Sequence, residues 1–402
     1  MIRRIPIAKL LPGMYVVDMH RSWLAHTFWR SRFLVQDDDT IRRMAEEDIS
    51  EVSIDTERGR DIPPPPTPLT PVNPDYVSRA ERLRSKPRTL SLGEERRRAG
   101  LLLGEARHCL EDLMGATRQG QTVELGRLEP LIERIIESVQ RNPDALPPLA
   151  RLKLGSEYAV GHALSTAALI VAYARQMGLE RGETENLALG TLVKDIGHFA
   201  IDAGLLGKAG RFSRDERSHV ERHVEEGVSV LMAHHPLPES ALAVVLEHHE
   251  RFDGSGYPYH IGGTEISRAG RMAAVVDRFD AMVSQRSYRR ALIPALALGQ
   301  VFAAGGQDFD PALLSAFVHA VGIYPVGSLV RLESGHLAVV EELHPEQLLS
   351  PVVRVIYHAG RKQYVAPVVA DLAAAVGNHY GQIVRAENFS DWGLSAVRWQ
   401  PV

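Results

Sequence analysis

Between residues 62 and 75 the chain carries Pro63, Pro64, Pro65, Pro66, Pro68, Pro71 and Pro74. Each lacks an amide donor and fixes φ, so this tract can enter neither a helix interior nor a central strand and favours an extended polyproline conformation. The chain is therefore expected to fold as separate bodies on either side of a linker. Before it, residues 1–61 mix short β-like runs (Met14–Val17, Phe33–Val35, Val52–Ile54) with a helical stretch around Thr40–Glu47 and an aromatic cluster of Trp23, Phe28 and Trp29. That mixture predicts a small α+β N-terminal domain.

After the linker the pattern is helical. Leu102, Leu103, Ala106, Leu110 and Leu113 recur at helical spacing, as do Leu125, Leu128, Ile132, Ile135 and Val139, with Pro130 starting or kinking the second helix. Residues 76–149 are read as a helical hairpin or connector, whose basic stretch Arg79–Arg98 is a solvated face. Residues 150–322 continue as helices, one opened by a capping box of Ser213 and Glu216. Beyond Gly322 alternation replaces the helical period, with a turn at Ser334–Gly335, so residues 323–402 are expected to form a β-rich appendage.

Charge and composition exclude several functions. Of 402 residues 45% are hydrophobic, enough for real cores, and 46 Lys and Arg stand against 50 Asp and Glu. A net charge of -4 provides no global field for a nucleic-acid polymer or an anionic membrane, so an anionic ligand must be held locally. The single cysteine, Cys109, excludes intramolecular disulfides and Cys-rich metal sites and fits a reducing cytoplasm, the expected location. No apolar leader follows Met1, and Ala163–Ala174 is far short of the roughly 20 residues that span a bilayer.

Among 17 histidines, several stand in pairs or beside acids. His162, Asp195, His223, His248, His249 and Asp277 form an ordered set, each in or at the end of a predicted helix. Imidazoles and carboxylates presented by several helices suit Fe, Mn or Zn, and two such ions sharing a carboxylate serve phosphodiester hydrolysis by activating water and neutralising phosphoryl charge. Singly each residue is weak evidence: His162 fits a helix core, His219 competes with His223, and Asp277 fits a buried acceptor.

The loop after this pair reads His248-His249-Glu250-Arg251-Phe252-Asp253-Gly254-Ser255-Gly256-Tyr257-Pro258. It is followed by Ile266-Ser267-Arg268, Arg271, Val276-Asp277-Arg278-Phe279-Asp280-Ala281-Met282 and Arg286-Ser287-Tyr288-Arg289-Arg290. Over roughly residues 150–320 the chain resembles the HD-GYP family, metal-dependent phosphodiesterases of cyclic di-GMP, and its first 61 residues resemble the uncharacterised domain often fused ahead of them. The resemblance implies a mainly α fold, an HD-GYP helical bundle between the two smaller modules. It implies His162, Asp195, His223, His248, His249 and Asp277 as metal ligands, with Asp195 bridging and acting in catalysis. Gly254 and Gly256 would turn the loop, Tyr257 would form a lip near substrate, and Arg286 and Arg289 would clamp phosphates. The cofactor implied is one or two divalent ions, Fe or Mn ahead of Zn. The implied partners are cyclic di-GMP and, through Gly256-Tyr257-Pro258, diguanylate cyclase (GGDEF) proteins; a homodimer is left open.

The family's His-Asp pair, followed by Gly-Lys, is here Lys194-Asp195-Ile196-Gly197-His198. An ammonium has no lone pair for a metal, and His198 now stands where the phosphate-facing lysine is expected, so His198 is assigned to catalysis beside Asp195. One metal position keeps Asp195, His223, His248 and His249; the other is left with His162, Asp195 and Asp277. Lys194 is expected to pair with Asp195 or Asp277 and stand in for a cation. Relatives with three metals carry an acid where this chain has Tyr158, so a third ion is not expected. The function implied is hydrolysis of cyclic di-GMP to pGpG or GMP; the alternative is an impaired enzyme serving as a cyclic di-GMP receptor or protein-interaction module.

Overall fold

The computed structural model describes residues 2–7, 10, 13–18, 33–35, 40–41, 44, 51–59, 90–153, 158–201, 208, 212–233, 236–284, 291–344, 346–374 and 379–399. The aromatic cluster of Trp23, Phe28 and Trp29, the proline tract, the basic residues before Leu90, and Arg286 and Arg289 lie outside them. The chain divides into two compact units, Met1–Pro68 and Leu69–Val402, a division that falls within the proline tract.

In the first unit β1 (Ile2–Pro6), β2 (Tyr15–Asp18), β3 (Phe33–Leu34) and β4 (Glu51–Asp55) form an antiparallel sheet in the order β1-β4-β2-β3. Ile5, Val16, Val52 and Ile54 bury against Leu10, Met14, Val35 and Met44. Three of these strands follow the expected β-like runs; β1 is additional.

The second unit begins with α1 (Leu92–Arg118), whose start is fixed by a capping box between Ser91 and Glu94. Then come α2 (Glu129–Arg141), with Pro130 in its first turn where the missing amide costs nothing, α3 (Leu146–Lys153), α4 (Tyr158–Met177) and α5 (Arg181–Val193). A 3-10 turn, Ile196–Ala200, leads towards α6 (Arg214–Glu221), capped as expected by Ser213 and Glu216, and α7 (His223–Met232). The bundle closes with α8 (Glu239–Glu247), α9 (Arg268–Val283), α10 (Pro294–Ala303) and α11 (Pro311–Val321).

Every residue of α4 from Val160 to Ala174 is buried, and the helix packs against α1, α2, α3, α5, α9 and α11. A helix apolar on all sides can only be central. Each fully buried Leu, Ile or Val side chain along it contributes about 1.5–3 kcal/mol. His162 is thereby carried into the interior, where a polar side chain must find partners.

The last strands, β5 (Leu329–Leu332), β6 (His336–Glu342), β7 (Val352–His358), β8 (Gln363–Asp371) and β9 (Ile383–Glu387), form an antiparallel sheet ordered β8-β7-β6-β5-β9. Its two faces bury separate clusters, Val330, Leu332, Val340, Val353 and Val355 on one and Leu329, Leu337, Val339 and Ile356 on the other. The turn between β5 and β6 holds Gly335 at φ 78°, as the Ser334–Gly335 pair predicts. No helix among the described residues is long and apolar enough to cross a membrane.

Candidate metal centre

The other five sequence-predicted ligands converge on Asp195, which lies where α5 ends and the chain tightens into the 3-10 turn. Its two oxygens face different groups. Oδ1 looks toward His248 Nε2 at 3.6 Å and His223 Nε2 at 3.8 Å. Oδ2 contacts Lys194 Nζ and lies 3.7 Å from His162 Nε2. Two donor sets result, Asp195 with His223, His248 and His249, and Asp195 with His162 and Asp277, each with its donor atoms within 4.8 Å of one another.

In the first set backbone carbonyls orient the rings. His223 Nδ1 lies 2.8 Å from Val220 O, and His248 Nδ1 lies 3.0 Å from both Val244 O and Val245 O. With Nδ1–H donated to a carbonyl, Nε2 carries the lone pair, the state a metal requires. Both Nε2 atoms are buried with no hydrogen-bond partner. Burial, helped by the adjacent His198 and His248 rings, pushes His223 down to about 3. Burial likewise holds His249 well below the ordinary imidazole value. Buried and unpartnered nitrogens around a carboxylate fit a divalent ion of borderline hardness.

The second set has no orphaned atoms. Lys194 Nζ, its side chain 1% exposed, touches Asp195 Oδ2, sits 2.6 Å from Asp277 Oδ1 and is 3.1 Å from His162 Nε2. Burial opposes the lysine's charge, but the carboxylates of Asp195 and Asp277 outweigh it and raise its pKa. Burial also opposes ionisation of both carboxyls, and the Lys194 ammonium reverses the balance, holding each well below the usual carboxylate range. The pairing expected of Lys194 is thus made with both acids at once.

Sequence reasoning missed the groups that orient His162. Asp280 is fully buried and lies 2.8 Å from His162 Nδ1, while Ser165 and Ser284 donate to its two oxygens. The available signal was spacing, because Asp277 and Asp280 stand three apart on one face of α9. Tyr158 stacks on the His162 ring at 5.3 Å between centroids.

His198 was assigned to catalysis because it stands where the resemblance expects the phosphate-facing lysine. Helix α5 stops at Val193, and the tighter turn brings the His198 ring onto His223, 3.9 Å between centroids. Burial pushes His198 down to about 4, so at neutral pH it offers a hydrogen bond rather than a positive charge. The turn can approach α7 only because residue 197 is glycine: a Cβ there would lie 1.9 Å from His223 O. At Gly256 a Cβ would lie 2.4 Å from Glu250 Cα, and this tight loop stacks Tyr257 on His249 at 4.6 Å. Arg251 pairs with Asp308 at 2.6 Å and ties the loop to the chain before α11.

Residues 135–313 match the model of the HD domain, and residues 2–128 that of a domain of unknown function. The chain is 37% identical over 384 residues to the cyclic di-GMP phosphodiesterase PA4108 of Pseudomonas aeruginosa, covering 93% of this chain and 90% of that protein. The chain belongs to the HD-GYP family. Within it, the cyclic di-GMP phosphodiesterase response regulator RpfG of Xanthomonas campestris is 31% identical over 53% of this chain and 58% of its own length. A 3'3'-cGAMP-specific phosphodiesterase 2 of Vibrio cholerae is 33% identical over 34% of this chain and 26% of its own length. Among HD-GYP proteins this chain is a mainly helical member carrying Lys194 where the family's name has histidine.

Proposed function

We propose that this HD-GYP protein is a metal-dependent phosphodiesterase that opens cyclic di-GMP to linear pGpG or GMP. The observation that carries the reading is the pair of buried, unpartnered Nε2 atoms of His223 and His248 facing one oxygen of Asp195. Similarity to PA4108 across nearly the whole of both chains supplies the substrate. Asp195, His223, His248 and His249 would hold the ion, Fe or Mn with Zn as the alternative. When bound, it supplies Lewis acidity toward the attacking water and the phosphoryl oxygens.

The chain's own residues do the rest. The carbonyls of Val220, Val244 and Val245 keep two imidazoles in the ligating tautomer. Tyr257, stacked on His249, closes one side against water, and burial pushes its phenol pKa up, so it stays a neutral donor. His198, neutral, steadies substrate through a hydrogen bond. Arg286 and Arg289 are assigned the phosphate-clamping role that the family resemblance implies. The Gly256-Tyr257-Pro258 loop remains the surface assigned to diguanylate cyclases, which a pull-down with and without Tyr257→Ala would test.

The test is chromatography of cyclic di-GMP after incubation with anaerobically purified protein, with and without added Fe(II) or Mn(II). Metal-dependent product is expected, and Asp195→Ala should lower the rate by at least about 10³-fold, since it strips a metal ligand and its charge together. A second reading is a receptor that binds cyclic di-GMP without cleaving it, favoured by the Lys194 ammonium lodged among three donors. Tight binding with no turnover under any metal would select it, whereas faster turnover of 3'3'-cGAMP would move the substrate assignment.

A further inference from the structure

The two donor sets around Asp195 differ in one respect that decides how many ions the site takes. In the first, His223 Nε2 and His248 Nε2 are buried without partners. In the second, every donor is already engaged: His162 Nε2, Asp277 Oδ1 and Asp195 Oδ2 each meet Lys194 Nζ. That ammonium comes from the residue directly after α5, one position before Asp195, so the backbone turn that aims the carboxylate also aims the amine. Water barely reaches it.

We infer that Lys194 is the resident cation of the second pocket and that the protein therefore holds one divalent ion, in the Asp195–His223–His248–His249 set. The inference rests on the metal-dependent reading above. An ion entering the second set would have to pull Nζ off both carboxylates and break the 2.9 Å contact of His162 Nε2 with Asp277 Oδ1, leaving a buried ammonium beside a dication, which Coulomb repulsion strongly disfavours. Lys194 is thus a positioning residue: it holds Asp277 Oδ1 and Asp195 Oδ2, leaving Asp195 Oδ1 to face the first pocket. Asp195, the expected bridge between two ions, instead bridges one ion and one side chain.

The experiment uses the full chain loaded anaerobically with Mn(II), freed of excess ion and read by elemental analysis and electron paramagnetic resonance. The wild type should hold one Mn(II) per chain with the six-line signal of an isolated ion. Lys194→His, which restores a lone pair beside Asp195, should take up a second ion and show an exchange-coupled signal. Two ions in the wild type, or a count of one unchanged in Lys194→His, overturns the inference while the metal-dependent reading stands. A wild-type count of zero together with no turnover under Fe(II) or Mn(II) overturns the reading itself. If Lys194→His does not fold, the wild-type count and spectrum decide alone, a single isolated ion supporting the inference and a coupled pair ending it.

Discussion

Asp280 receives His162 Nδ1 and the hydroxyls of Ser165 and Ser284 in a fully buried position. Asp280→Ala would leave those three groups unsatisfied, so a loss of about 3 kcal/mol or more is expected in denaturant unfolding. Its arm of the site ends at His162 and Lys194, so Mn(II) affinity of the His223–His248 pocket should change by less than the roughly 10–100-fold that losing a direct support of a metal ligand costs. The contrast between Asp280 and Asp277 explains what the sequence could reveal about individual residues. The donor types and order of His162, Asp195, His223, His248, His249 and Asp277 were visible in the sequence, but each alone was weak, and it was the resemblance carried by the loop after His249 that grouped them as ligands. The role of Asp280 depends on which ring nitrogen of His162 faces it, and ring orientation has no sequence signature. Lys194 was legible as a residue without a lone pair, and its contact with both Asp195 and Asp277 follows from burial, which leaves an ammonium no other acceptors.

At the scale of elements, the turn Ile196–Ala200 and helix α7 act as one piece, joined where Gly197 meets the His223 carbonyl. Gly197→Ala forces a methyl into backbone that has no flexible neighbour to yield, and a cost of roughly 3 kcal/mol or more is expected in thermal unfolding. The same displacement separates Asp195 from His223, so metal retention on dialysis should fall by more than about tenfold. Helices with a strong apolar period, such as α1 and α2, were legible in position, and Pro130 marked the start of α2, whereas the Ser91–Glu94 cap that starts α1 was not read. The break after Val193 was not, because Lys194-Asp195-Ile196-Gly197-His198 reads equally well as a continuing helix. Strand β8 was also hidden: Pro367 sits inside it, and proline is compatible with a strand only at an edge, the position β8 holds in the sheet. Pairing order is a tertiary fact and cannot be read from a single run of residues.

For the whole molecule, buried titrating groups set the pH range of stability. His198 and His223 have folded values depressed to about 4 and about 3 from 6.5. A depressed group contributes stability above its unfolded value, and that contribution is lost as pH falls toward the folded one. Asp195 and Asp277, also depressed, lose theirs only below about 3.8. Lys194 is raised, so its contribution is complete below 10.5 and lost as pH climbs through its folded value. Burial and the Lys194 charge oppose protonation of His162, but Asp277 and Asp280 outweigh them and hold it above its ordinary value, so its contribution is complete below 6.5 and lost as pH rises through its folded value. Chelator-treated protein should therefore lose stability on the acid side as pH falls below about 6.5 and on the alkaline side first through His162 and then through Lys194. Its thermal midpoint should drop by several degrees between pH 7.5 and 5, a scan that needs only calorimetry. Binding of an ion to His223 and His248 should flatten that acid limb. The backbone contact at Gly197 has a further consequence for the molecule as an instrument of selection. Because the carbonyl of His223 rests on the turn that carries Asp195, the jaw between imidazole and carboxylate is set by main chain and cannot widen to suit its guest. Such a gauge adds to the preference of its imidazoles, so Ca²⁺, which is larger and seeks oxygen ligands, is expected to bind this pocket more weakly than Mn²⁺.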